Sequence, residues 1–204
     1  MQAARGASLT RDPATRPRAP RLVLALIVAL AAWLVDLTTK ILAQRELADR
    51  GPVDVVGSLL RLNLTRNAGA AFSTGTSMTP VIAVFALVAF VVVLVLTTRV
   101  GTAGWAWAMG LLLAGIAGNL TDRIFRDPGP LRGHVIDFLQ LPHWPIFNVA
   151  DMCITAAAVM VIVLSIFRNV GIDGRTPGED EEPGARPPRR RRFRSRAADD
   201  APSA

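Results

Sequence analysis

Four apolar stretches, each of about twenty residues, constrain this chain more than any other feature. Residues 22–42, 79–98, 104–121 and 148–167 are dominated by Leu, Val, Ala and Ile and carry few charges. A helix of that length crosses the roughly 30 Å hydrocarbon core of a bilayer. Inside hydrocarbon every backbone N–H and C=O needs an internal partner, so each stretch must coil into a helix. The chain therefore reads as an integral membrane protein, mainly α, with four transmembrane helices. Its charge content supports this: 19% of residues are charged, against about 25% in a soluble domain.

The first stretch poses a choice. "ALA" at 29–31 fits the A-x-A pattern of a cleaved leader. The apolar run continues through Trp33, Leu34 and Val35, and a long arm precedes it, so we expect a retained helix. Residues 1–20 are rich in Arg, Pro and Ala without periodicity and are expected to be a disordered arm. Residues 21–168 form the membrane domain, and 169–204 a second disordered tail, with an acidic block before a basic one. In the first connection, "LLRLNLT" at 59–65 alternates apolar and polar residues, the signature of a half-buried strand. The formal net charge of +7 comes from Arg-rich, low-complexity tails. Flanking charge of this kind sets membrane orientation, so no nucleic-acid role is assigned.

Four spans put both termini on one side. The tails and the 99–104 link hold 15 Arg, and the two connections hold seven. The positive-inside tendency then places the tails in the cytoplasm. Following the alternation, Asp36, Lys40, Asn67, Asn119, Asp122, Arg123, Asp137, Asn148 and Asp151 all fall at the opposite, extracytoplasmic face. Asp36 and Lys40 are spaced i,i+4, the sense that favours an ion pair. Asn119, Asp122 and Arg123 form one helical stripe, and Gly115 a turn earlier would admit a neighbouring helix closely. Carboxylates in a membrane helix are costly, and they mark function by default. Lys40 is the only lysine among 23 basic residues, which suggests a site that wants a compact point charge.

Several of these residues have a plainer reading. Asn148 can be an N-cap and Asp151 its capping-box partner. Asp36 and Lys40 can be a structural pair, and Asp137 a loop acid. His134 and His143 lack a metal-ligand pattern, and the single cysteine, Cys153, lies in an apolar run, so no metal is assigned. Ser-x-x-Lys, G-x-S-x-G and H-E-x-x-H are all missing from the sequence. What remains is a set of aspartates at a membrane face. Two close carboxylates can share a proton, one acting as base on water and the other as acid on the substrate. A small transporter or proton conductor is the alternative, but it would place polar groups through the bilayer depth.

"DLTTK" (36–40), "NAGAAF" (67–72), "GIAGNLTDR" (115–123), "VIDF" (135–138) and "FNVAD" (147–151) together resemble the ordered motifs of bacterial lipoprotein signal peptidases, the signal peptidase II family. The likeness spans about residues 22–167. It implies a membrane aspartic endopeptidase that cleaves prolipoproteins before a diacylglyceryl-modified cysteine. It further implies that Asp137 and Asp151 are the catalytic pair. Asp36, Lys40, Asn67, Gly69, Asn119, Asp122, Arg123 and Asn148 would support the pair or bind substrate. A small extracytoplasmic β-sheet cradle and a short helix beside the membrane are also implied. We expect a monomer with no cofactor, whose partners are prolipoproteins and membrane lipids. Both tails, and the stretch 124–134, look longer than is usual in the family.

Overall fold

The computed structural model describes residues 19–69 and 78–176. Much of the arm, most of the tail and part of "NAGAAF" lie outside these residues. The element order is α1 (Ala19–Leu47), β1 (Val53–Val56), β2 (Leu60–Asn67), α2 (Thr79–Thr97), α3 (Ala103–Phe125), β3 (Val135–Gln140) and α4 (Val149–Ile162), which ends in a π-helical turn, Val163–Phe167. All four expected helices form, and each is long and apolar enough to cross a membrane. The chain is a multi-pass membrane protein.

α1 runs further than the apolar pattern suggested, ending at Leu47 and not near 42. Its last turns leave the apolar layer but stay packed, because Ala43 and Leu47 form a small core with Phe138 from β3. Side-chain packing against the sheet thus extends the helix where hydropathy alone would stop it. Large apolar side chains on the outer faces are exposed, among them Phe85 on α2 and Ile27 on α1. In a bilayer these are lipid contacts.

α3 is the central helix and packs against the other three. It does so through small residues. A Cβ on Gly115 would lie 2.5 Å from the Ala150 carbonyl oxygen and from Ile154 Cγ1, both on α4. A Cβ on Gly118 would meet the Asp36 carboxylate and the Ala150 side chain. Without hydrophobic drive between helices in lipid, such close backbone approach supplies the dispersion contacts that hold spans together. The expectation for Gly115 is met by α4.

At one end of the bundle sits a three-stranded antiparallel sheet in the order β1-β2-β3. β2 is the strand expected at 59–65. It pairs with β3 in a register that sets Thr65 opposite Asp137 and Asn67 opposite Val135. Since side chains alternate faces, Asn67 and Asp137 share one face of the sheet. At the other end, residues after the π turn fold back onto the α2–α3 link. Gly101 N donates to the Ile172 carbonyl at 2.8 Å, and Trp105 Nε1 donates to the Val170 carbonyl at 3.1 Å. Ordered packing therefore continues several residues past the end of α4.

Candidate active site

Every expected site residue lies at the sheet end of the bundle, and most join one hydrogen-bonded network. Its base is Lys40, which is wholly buried. The ammonium lies 2.9 Å from Asp36 Oδ2 and 2.8 Å from Asp122 Oδ2, and it donates to Asn119 Oδ1 at 3.1 Å. Three N–H donors thus meet three acceptors, from α1 itself and two turns of α3. A planar guanidinium could not fill this compact site in the same way. The i,i+4 pair read from the sequence is real, and it is shared with a second carboxylate.

Asp36 also reaches α4. Its Oδ1 accepts from the Ala150 backbone N–H at 2.8 Å. A carboxylate from one helix therefore sits on the N-terminus of another, where the helix dipole favours negative charge. The same N-terminus carries its own capping box. Asn148 Oδ1 accepts from Asp151 N at 3.0 Å, and Asp151 Oδ2 accepts from Asn148 N at 3.2 Å. The plain reading of Asn148 and Asp151 is thus correct as far as it goes.

The cap also belongs to the site. Asn148 Nδ2 donates to Asp137 Oδ1 at 2.6 Å and to Asn119 Oδ1 at 3.1 Å. Asn119 Nδ2 donates to Asp151 Oδ1 at 2.8 Å. The second oxygen of Asp137 accepts from Asn67 Nδ2 at 2.9 Å. Asn67 is in turn held by the Gly69 N–H, 2.8 Å from its Oδ1. Gly69 has φ +98°, a conformation that side-chain-bearing residues rarely adopt. Both oxygens of both aspartates are therefore fixed by amide donors, and Asn148 is common to the two.

Asp137 lies in β3, beyond the membrane spans, and is 3% exposed. Burial disfavours its charged form and raises its pKa to about 6. The nearby Asp151 charge pushes the same way, while the amides of Asn67 and Asn148 and the Lys40 ammonium oppose the rise. A carboxyl whose pKa is raised to about 6, beside a second carboxylate, is suited to hold and release a proton.

Arg123 is buried, 7% exposed, within electrostatic reach of Asp137, Asp122 and Asp151. Its Nη1 has no hydrogen-bond partner among the described residues. Its carbonyl accepts from Gly133 N at 3.1 Å. Two supporting residues were not singled out from the sequence. Arg126 pairs with Asp122 and bonds to Gln44 of α1, and the i,i+4 spacing from Asp122 was the available signal. Asp122 Oδ2 additionally accepts from Ile136 N at 3.2 Å, fixing the strand that carries Asp137. The long 124–134 stretch is a folded turn, closed by His134 N donating to the Asp127 carbonyl at 3.1 Å.

Fold and site together define a class: a polytopic membrane protein with a buried, carboxylate-centred polar network at one end of its helices. Comparison with known proteins narrows the class. The family described as Signal peptidase (SPase) II matches residues 28–167. The chain is 43% identical over 170 residues to the lipoprotein signal peptidase of Mycolicibacterium smegmatis, covering 81% of this chain and 71% of that protein. It is 42% identical over 160 residues to the lipoprotein signal peptidase of Streptomyces coelicolor, covering 78% of each. A solved structure described as a bacterial membrane enzyme aligns with a TM-score of 0.62 at 22% identity, over 70% of this chain and 92% of that one. At that identity the structural likeness speaks to fold alone. The chain belongs to the signal peptidase II family and is a peptidase.

Proposed function

We propose that the protein removes signal peptides from prolipoproteins, cleaving before a diacylglyceryl-modified cysteine with water activated between Asp137 and Asp151. The observation that carries this reading is the shared amide scaffold. It holds four carboxylate oxygens in fixed positions while Asp137 titrates near pH 6. The ionised member takes a proton from water as the water oxygen bonds to the scissile carbonyl carbon. The protonated member donates its proton to the carbonyl oxygen. Collapse of the tetrahedral intermediate breaks the C–N bond, and a proton passes to the departing amine. The buried Arg123 Nη1, without a hydrogen-bond partner among the described residues, would donate to a substrate carbonyl oxygen. Lipid chains on the cysteine keep the substrate in the membrane, and the site at the helix ends lets the scissile bond enter it with little orientational freedom.

The distribution of arginine supports cytoplasmic tails and an extracytoplasmic site. One chain contributes both aspartates and all their supports, so a monomer suffices. The test is to incubate purified protein with lipid-modified and unmodified precursor, with and without chelator, alongside Asp137→Asn and Asp151→Asn. Cleavage restricted to the lipidated precursor, insensitive to chelator and lowered at least about 100-fold in each variant, is expected. Turnover by either variant at the wild-type rate would remove the aspartate pair from the mechanism.

A further inference from the structure

A cavity of about 260 Å³ opens beside the network, lined by Gln44, Arg66, Phe125, Arg126, Asp127 and His134 and floored by Ile136. Three of its side chains are basic: Arg66 from β2, Arg126 from the end of α3, and His134 from the turn before β3. The cross-strand pairing of Arg66 with Ile136 brings the first of these to the cavity. Asp127 is the one carboxylate in the lining. Among the described residues no carboxylate pairs with Arg66, whereas Arg126 lines the cavity with its Nε and Nη1 held by Asp122 and Gln44. Such a set of planar donors suits the oxygens of a phosphate group.

The surroundings argue for the source of that phosphate. The cavity lies at the sheet-side ends of α1 and α3, where a bilayer's headgroups begin. Phe125, the last residue of α3, is 80% exposed at its rim. An aromatic ring at that level sits among acyl chains and headgroups. Arginine N–H groups at headgroup level form charge-assisted hydrogen bonds with phosphate oxygens. We propose that this cavity binds the phosphate of an anionic phospholipid from the sheet-side leaflet, as a bystander lipid distinct from the substrate. Because Arg126 pairs with Asp122, and Asp122 holds both Lys40 and the Ile136 N–H, the lipid would brace the strand that carries Asp137.

The experiment is native mass spectrometry of the full chain in neutral detergent. Phosphatidylglycerol, phosphatidylcholine and inorganic phosphate are each titrated separately. The wild type should retain one phosphatidylglycerol at least about fivefold more tightly than phosphatidylcholine. Arg66→Gln, at an exposed side chain, should lower that preference by about fivefold, and Arg66→Gln with His134→Gln should abolish it. Arg99→Gln, on the opposite end of the bundle, should leave it intact. An undiminished preference in the double variant overturns the proposal. So does a phosphate adduct that phosphatidylglycerol fails to displace, which would make the site one for a free anion.

Discussion

At the residue scale, the site is governed by where amide protons point. Asn67 and Asn148 each donate to one oxygen of Asp137, stabilising its carboxylate against burial and against Asp151. Removing a donor weakens the charged form, so the pKa must rise further. Wild-type activity should fall as pH rises through about 6, where the pair loses its shared proton. Asn67→Ala should move that limb to higher pH, a shift that a merely loosened fold would not produce. The pH–activity profile of kcat for both proteins checks it, and an unmoved limb refutes the role given to Asn67. Lys40 shows how a single residue type can be read. Its being the lone lysine suggested a point charge, and the wholly buried ammonium does meet three acceptors.

At the element scale, α3 decides whether the network assembles. α4 can bring Asn148 and Asp151 to Asn119 because Gly115 lets the two backbones come close. Gly115→Val would drive a branched side chain into the Ala150 carbonyl and Ile154. Overpacking of this kind costs about 1–3 kcal/mol, and here it also parts the helices that carry the two halves of the site. Expected are a lower Tm and a loss of cleavage larger than the stability change explains; a thermal melt and a cleavage assay on the same preparation separate the two. Retention of wild-type turnover would mean that α4 reaches the site by another packing. The sheet acts differently. Its register sets Asn67 and Asp137 on one face, and the Gly69 turn fixes Asn67, so the strand pair delivers an aspartate and its hydrogen-bond donor together.

At the scale of the whole molecule, the polar network occupies one end of the bundle and a packed return of residues 168–176 the other. Orientation in the membrane then fixes which side the chemistry serves. In a Cys153→Ala background, Arg132→Cys in the turn before β3 should react with an impermeant maleimide added to intact spheroplasts. Arg99→Cys in the α2–α3 link should react only after lysis. The reverse pattern would invert the topology inferred from the arginines.

The four spans were legible because hydrocarbon imposes a length and leaves the backbone no partner but itself. The strand at 59–65 was legible from its alternation. β1 and β3 were not called from the sequence, since four- and six-residue strands gain their identity from pairing and not from local pattern. The site residues were legible as a set gathered at one membrane face, and as motifs of a family. Their partnerships were not. Sequence spacing could join Asp36 to Lys40 and Asn148 to Asp151, because helical neighbours are set by local geometry. That Lys40 also holds Asp122, that Asp36 caps α4, and that Asn148 is at once a cap and the link between two aspartates follow from contacts between different elements, the Asp36 one across 114 residues of chain. Only the packed bundle sets such distances, through the small residues that let its helices meet.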